Sequence, residues 1–325
     1  MAFVGNGGWS GGVNRPDMWG PVARYGMATV STNKGHEGTS PDGSFILNGD
    51  ETLIDYGRRA VHLSAVYSKQ IIRDFYKKPI KSSFWLGCSS GGKQGLRELQ
   101  QFPETFDGVI SGAAARWWSH LAAHLVRINS FINSIGSEGY LTTTDYALIA
   151  KQVMDQCDEL DGVKDKIITN SPSQHVFHQL KPQQCPRYGQ IGHQQMASSS
   201  FFGLEPGSES SPDMRADGRP EGRVADYFTY AVLNKIEKQT LQVSSIQELE
   251  QLVKTADRTN PGSINASNAD VSPFFKRGGK LLTYHGEHDA TIPSGGTLWY
   301  WEQVRKAVGA KAADQSFQAY LGECG

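Results

Sequence analysis

No stretch of this 325-residue chain holds the roughly 18 consecutive apolar residues that a membrane-spanning helix requires. Charge of either sign is not in excess. Lys and Arg number 32 against 33 Asp and Glu, a net charge of −1, so nothing points to nucleic acid or an anionic membrane surface as partner. Internal repeats and coiled-coil heptads are absent. The opening MAFVGNGGWSGG lacks the basic and apolar regions of a secretory signal peptide. Cysteine is scarce: Cys88, Cys157, Cys185 and Cys324 permit two disulfides in any of three connectivities, or four reduced thiols, and the count does not choose. Histidine is missing from the C-terminal end, the last of nine being His288.

What is present is the composition of a soluble globular protein, 38% hydrophobic and 20% charged with a mean hydropathy of −0.44. The 36 glycines suit a loop-rich α/β architecture better than a helical bundle. Short strands are expected at Ala2–Val4 and Met27–Val30 within a glycine-rich, irregular start. A helical pattern runs from Leu53 to Tyr76, with Val61, Ala65 and Ile72 on one face, and ends before Pro79. Ser82–Leu86 reads as a strand and Gln94–Phe102 as a helix closed by Pro103. Further on, Lys280–His285 is a strand, Thr297–Ala307 a helix and Ser316–Leu321 a last strand. Alternating strands and helices predict an α/β fold with a largely parallel sheet covered on both faces. Residues 1–112 and 271–325 form its core, and 113–270, with an acidic turn and a polar stretch near 186–222, form an inserted lid.

The segment FWLGCSSGGKQGL (84–96) supports two machines. Gly87 through Lys93 fits the start of a phosphate-cradling loop, but the hydroxyl that should follow the lysine and hold magnesium is Gln94. Gly87-Cys88-Ser89-Ser90-Gly91 fits G-x-S-x-G, the tight strand-to-helix turn that presents a nucleophilic serine. The flanking strand and helix favour the second reading, with small residues two before and two after Ser89 letting the turn form. The Ser90 N–H would donate to a developing oxyanion, and the Gly5-Asn6-Gly7-Gly8-Trp9 loop would supply a second donor through Gly7 or Gly8.

Such a serine needs an acid and a base, in the chain order Ser, Asp or Glu, His. Asp289, just past the Lys280–His285 strand, fits the acid, although a loop aspartate that caps a turn would look the same. The base is missing: the loop after the last strand reads Gly322-Glu323-Cys324-Gly325.

Taken together, VGNGGWSGG (4–12), STNKGH (31–36), IDYGRRAVHLSAVYSKQII (54–72), GCSSGGKQGL (87–96) and FPETFDGVISGAAA (102–115) resemble the tannase and feruloyl esterase family. CDELDGVKD (157–165) and INASNADVSPFFKRGGKLLTYHGEHDATIP (264–293) continue the resemblance in the same order. It implies an α/β-hydrolase-type fold that hydrolyses esters of phenolic acids, feruloyl or galloyl, through an acyl-serine. The partner is then a small phenolic ester, with no nucleic acid and no membrane, and the location is outside the cell despite the missing signal peptide. The oligomeric state is not implied.

The resemblance further implies disulfides Cys88–Cys324 and Cys157–Cys185, and a structural calcium ion in the lid. Asp158, Asp161 and Asp165, with the main-chain carbonyls of Val163 and Ile167, match the family's calcium ligands, all hard oxygen donors. Lys166 stands where the family usually has glycine. No organic cofactor is implied. With Cys324 aligned, the family's catalytic histidine falls on Glu323. A carboxylate of ordinary pKa, about 4.3, is a poor acceptor for a serine proton at neutral pH. Next to Asp289 it would also form a like-charge pair. His288 and His285 lie close enough in sequence to serve instead, His285 reading more as a strand-end residue bonded locally. The family's members extend further at both ends. The expectation is therefore a serine carboxylesterase with Ser89, Asp289 and Glu323 in the triad positions; the alternative is a catalytically silent relative or a truncated gene product. Trp117 and Trp118 would either contact an aromatic acyl group or pack in the core.

Overall fold

The computed structural model describes residues 1–132, 140–166, 168, 208 and 222–322. Six strands form one sheet in which every neighbouring pair is parallel, in the order β2-β1-β3-β4-β5-β6. They are β1 (Ala2–Val4), β2 (Thr29–Val30), β3 (Phe84–Cys88), β4 (Gly108–Gly112), β5 (Lys280–Gly286) and β6 (Phe317–Gly322). The parallel α/β sheet expected from the sequence is the fold observed. Its central strands are short and rich in apolar residues; Trp85, Val109 and Leu281 are buried, whereas Ile110 and Tyr284 are exposed.

Helix α1 (Arg15–Tyr25) follows β1; Asn14 caps it by accepting from the Asp17 N–H, and Gly26 ends it in the left-handed region. The predicted helix from Leu53 is a longer run. Helix α2 (Asp50–Ile54) passes through a π-helical turn (Asp55–Arg59) into α3 (Ala60–Tyr76). Val61 and Ala65 of α3 are buried and Ile72 packs partly, while Leu63, Val66, Tyr67 and Phe75 form an exposed apolar stripe on the same helix. Helix α4 (Ser90–Gln101) starts four residues before its expected position. Trp118–Arg127 is α5, Thr143–Cys157 is α6 and Gly222–Asp226 is α7. Ile246–Thr259 (α8), Ser272–Lys276 (α9), Gly295–Val308 (α10) and Ala310–Ser316 (α11) follow.

Two cores flank the site. One, under the sheet, joins Phe3, Trp85, Leu96, Phe106, Val109, Leu281 and Phe317 with α3 and α10. The other brings Trp9, Phe45 and Tyr56 against Trp118, Ala122, Val126, Tyr227, Phe228 and Leu249. Residues 115–126 and 224–264 therefore share a core with the first 60 residues of the chain.

Candidate active site

β3 delivers the chain to Ser89 and α4 carries it away, and the turn between them is strained. Ser89 has φ 59° and ψ −122°, a conformation that side-chain-bearing residues avoid and that costs on the order of 1–3 kcal/mol. Hydrogen bonds hold it there. The Ser89 N–H donates to the Gly112 carbonyl at 2.9 Å, and the Ser89 carbonyl accepts from Lys93 N–H and Ala115 N–H, each at 3.1 Å. The glycines make room. A Cβ on Gly87 would lie 2.5 Å from the Gly91 carbonyl group, and one on Gly5 would lie 2.7 Å from Gly91 Cα. The glycine-rich loop after β1 thus sits backbone against backbone on the first turn of α4, as the nucleophile reading of 84–96 anticipates and a phosphate loop does not require.

The start of a helix leaves its first N–H groups without intrahelical partners, so the Ser90 N–H stands beside Ser89 as a donor. In the facing loop, Gly5 donates to Leu86, Trp9 to Ser40 and Ser10 to Gly7. The Gly7 and Gly8 N–H groups are uncommitted among the described residues. Gln94, which cannot serve magnesium in a phosphate loop, has another role. Its Oε1 accepts from the Asn6 N–H at 3.3 Å and its Nε2 donates to the Asn6 carbonyl at 3.2 Å. Tyr56 reaches both sides as well, its hydroxyl 2.7 Å from the Gly8 carbonyl and 2.8 Å from Ser90 Oγ. Sequence reasoning missed both residues, and the spacing of Gln94 one turn after Ser90 was the available signal.

Behind Tyr56 lie two fully buried lysines. Lys34 and Lys93 each place Nζ 4.5 Å from its ring centroid, and neither ammonium has a hydrogen-bond partner among the described residues. Burial lowers the Lys34 pKa to about 7 and depresses that of Lys93 strongly, the positive charge of Lys34 adding to the latter effect. Trp118 is 3% exposed and packs its ring 4.6 Å from Trp9, so it is a core residue. Trp117 differs. It stacks on His120 at 3.6 Å and lines a cavity of about 40 Å³ with Arg116, His120, His124, Ile292 and Pro293.

Asp289 stands on the loop after β5, about a quarter exposed. Its Oδ1 accepts from the Thr291 and Ile292 N–H groups at 3.0 and 2.9 Å, which is turn capping; its Oδ2 lies 3.4 Å from His285 Nε2. His285 is buried and spent on structure, with Nε2 donating to the Ile292 carbonyl and Nδ1 accepting from Thr297 Oγ1, both at 2.7 Å. His288 Nε2 is buried with no partner among the described residues. Glu323 and Cys324 lie outside the described residues.

Cys88 is an exposed thiol, unbridged among the described residues, that hydrogen-bonds the Tyr284 hydroxyl; Cys324, the partner implied by the resemblance, lies outside the described residues. Partial burial pushes its pKa up. Cys157 is disulfide-bonded, and Cys185, its expected partner, lies outside the described residues.

At the expected calcium loop, Asp158 is buried and its Oδ1 accepts from the Asp165 and Lys166 N–H groups at 3.2 and 2.7 Å. Lys166 has φ 66°, the left-handed backbone that explains a preference for glycine at that position. Val163 is exposed, while Ile167 and the Asp161 side chain are outside the described residues. No group of three or more His, Cys, Asp or Glu side chains among the described residues is placed to hold a metal ion.

Comparison with known proteins places these observations. The family described as tannase and feruloyl esterase matches residues 1–190 and 214–322. Probable feruloyl esterase B-2 of Aspergillus fumigatus is 33% identical over 94% of this chain and 60% of its own length. Probable feruloyl esterase B-1 of Aspergillus terreus is 31% identical over 98% of the chain and 62% of its own. The chain therefore spans about 60% of the length of the curated relatives it matches. The crystal structure of feruloyl esterase B from Aspergillus oryzae superposes with a TM-score of 0.84 at 29% identity, covering 99% of this chain and 67% of that one. Tannin acyl hydrolase from Aspergillus niger, at 19% identity and a TM-score of 0.83 over 99% of this chain and 67% of its own, shares the fold. With the strained serine turn, the glycine loop against it and a match along most of its length, this chain belongs to the tannase and feruloyl esterase family.

Proposed function

We propose that the chain is a carboxylic ester hydrolase for esters of phenolic acids, feruloyl or galloyl in type, working through an acyl-serine. The observation that carries this reading is the backbone of Ser89, held at φ 59° between β3 and α4 beside a loop whose Gly7 and Gly8 N–H groups are uncommitted among the described residues. Ser89 Oγ attacks the ester carbonyl carbon and its proton passes to a base. The carbonyl oxygen becomes an oxyanion that the N–H groups of Ser90 and of Gly7 or Gly8 stabilise. The C–O bond to the alcohol then breaks, the alcohol leaves with a proton, and water hydrolyses the acyl-serine. The preference for phenolic acids is taken from the names of the relatives. Secretion and the pairing of Cys157 with Cys185 belong to the same proposal. So does a structural calcium ion held by Asp158, Asp161, Asp165 and the carbonyls of Val163 and Ile167. Its support is the oxygen-only donor set and the closure of residues 165 and 166 onto Asp158. The substrate is a small molecule, and no helix among the described residues is long and apolar enough to cross a membrane.

Asp289 is the acid of the triad, and Glu323 occupies the base position of the family. A second reading, a catalytically silent relative, is favoured by that glutamate, because a carboxylate cannot become the imidazolium that an aspartate stabilises. His288 offers a third arrangement through its Nε2, which has no partner among the described residues. Hydrolysis of methyl ferulate and methyl gallate by the unmodified chain, Glu323→His, His288→Ala and Ser89→Ala, with calcium present, separates these. The esterase reading expects Ser89→Ala to abolish turnover and Glu323→His to raise it by orders of magnitude. Turnover in the unmodified chain that His288→Ala removes assigns the base to His288. Background rates unchanged by Ser89→Ala and Glu323→His establish the silent relative.

A further inference from the structure

Tyr56 is fully buried on the π-helical turn, and its hydroxyl touches both walls of the oxyanion site, bonding the loop at Gly8 where Gln94 bonds it at Asn6. The direction of each hydrogen bond follows from valence. A phenol has one proton and the Gly8 carbonyl oxygen can only accept, so that proton goes to Gly8. Ser90 Oγ, 2.8 Å away, must then donate to the Tyr56 oxygen. Gln94 Nε2 donates to Ser90 Oγ at 3.4 Å with one hydrogen and to the Asn6 carbonyl with the other. A relay of donors therefore runs from Gln94 through Ser90 and Tyr56 to Gly8, linking the helix start to the glycine loop. Gly8 has φ 50° and packs on Ser40, the Gly7 carbonyl accepts from Ser10, and nothing lies within 4 Å of a Cβ placed on Gly7. The Tyr56 bond adds a hold on the Gly8 carbonyl, which orients the peptide that follows these two adjacent glycines. The Nζ atoms of Lys34 and Lys93 each pack 4.5 Å from the centroid of the Tyr56 ring.

We propose that Tyr56 is a positioning residue for oxyanion stabilisation, its hydroxyl tying the Gly8 carbonyl to the Ser90 side chain so that donors from loop and helix keep one spacing. The proposal rests on the serine-esterase reading above. Oxyanion donors act only when already aimed at the position the charge will occupy, so loosening the tie costs the transition state more than the bound ester.

Tyr56→Phe removes the hydroxyl and keeps the ring. The measurements are steady-state hydrolysis of methyl ferulate and the affinities for phenylboronic acid, which forms a tetrahedral adduct on the serine, and for ferulic acid. They are made in the unmodified chain and in Glu323→His. The expected result is a ten- to hundredfold fall in kcat with KM within about twofold, below the cost of deleting a donor outright. Boronate affinity falls with kcat and ferulate affinity stays. Ser90→Ala, which cuts the same tie from the other end, gives the same pattern and decides the matter if Tyr56→Phe does not fold. Equal boronate affinity with and without the tie overturns the proposal and leaves the esterase reading standing. Parallel losses in kcat, KM and ferulate affinity assign Tyr56 to packing and overturn it too. If neither parent hydrolyses the ester nor takes boronate, the esterase reading falls and the proposal with it.

Discussion

At the scale of single residues, the two lysines over Tyr56 make the sharpest prediction. Lys34 is fully buried without a hydrogen-bond acceptor among the described residues. Its ring contact supplies about 0.5–2 kcal/mol, less than burial of an unpaired ammonium costs. Burial lowers its pKa from the ordinary 10.5 to about 7. Between pH 7 and 10.5 the unfolded chain therefore holds a proton that the folded chain has released, and stability rises with pH across that window. Lys93 acts in the same direction. Thermal melts should show a Tm that climbs from pH 7 towards pH 10. Lys34→Met should be more stable than the parent at pH 7 by about 1–2 kcal/mol, the difference shrinking as pH rises. A Tm that falls with pH, or a methionine variant less stable at pH 7, contradicts this account. None of this was legible in STNKGH or GCSSGGKQGL. A lysine in a polar-looking motif reads as exposed until the chain is folded around it. The tight strand-to-helix turn at Ser89 was legible because its geometry is local, set by Gly87, Ser89 and Gly91 within five residues. The tie between Tyr56, Ser90 and Gly8 was not, because it joins three distant segments.

At the scale of elements, α4 explains where sequence reading went astray. Gly91, Gly92 and Gly95 are poor helix formers, and the expected start at Gln94 passed over the first two. The helix begins at Ser90 regardless, because close approach outweighs propensity here: a Cβ on Gly95 would lie 2.2 Å from Trp85 Cδ1. Gly95→Ala should therefore destabilise the protein by about 1–3 kcal/mol as an overpacked contact, although alanine is the better helix former. A denaturant midpoint at or above that of the parent would show that Trp85 yields without cost. The strand β4 was missed because it is five residues long with glycine at each end, and α1 because its prolines sit in a glycine-rich segment. Strands β1, β5 and β6 were legible within about two residues, their apolar residues standing between polar and glycine-rich neighbours.

At the scale of the whole molecule, calcium separates a stabilising role from a catalytic one. The Asp158 loop follows α6 directly, and the proposed ion would couple it to the disulfide at Cys157. Added calcium should raise Tm by several degrees over the chain in chelator, and Asp158→Asn should abolish the increment; Tm equal in both conditions removes the ion from the account. The sheet itself carries a different consequence. Strands β3 and β4 lie close in sequence, yet Gly108 of β4 pairs with Lys280 of β5 across the middle of the sheet. As the chain leaves the ribosome, the first four strands emerge long before their remaining neighbours. Until β5 arrives, the inner edge of β4 presents an open row of backbone donors and acceptors, the state in which strands pair with the wrong chain. Completion of the sheet is thus a late event of high contact order. Yield on expression should depend on how quickly the second half of the chain follows the first.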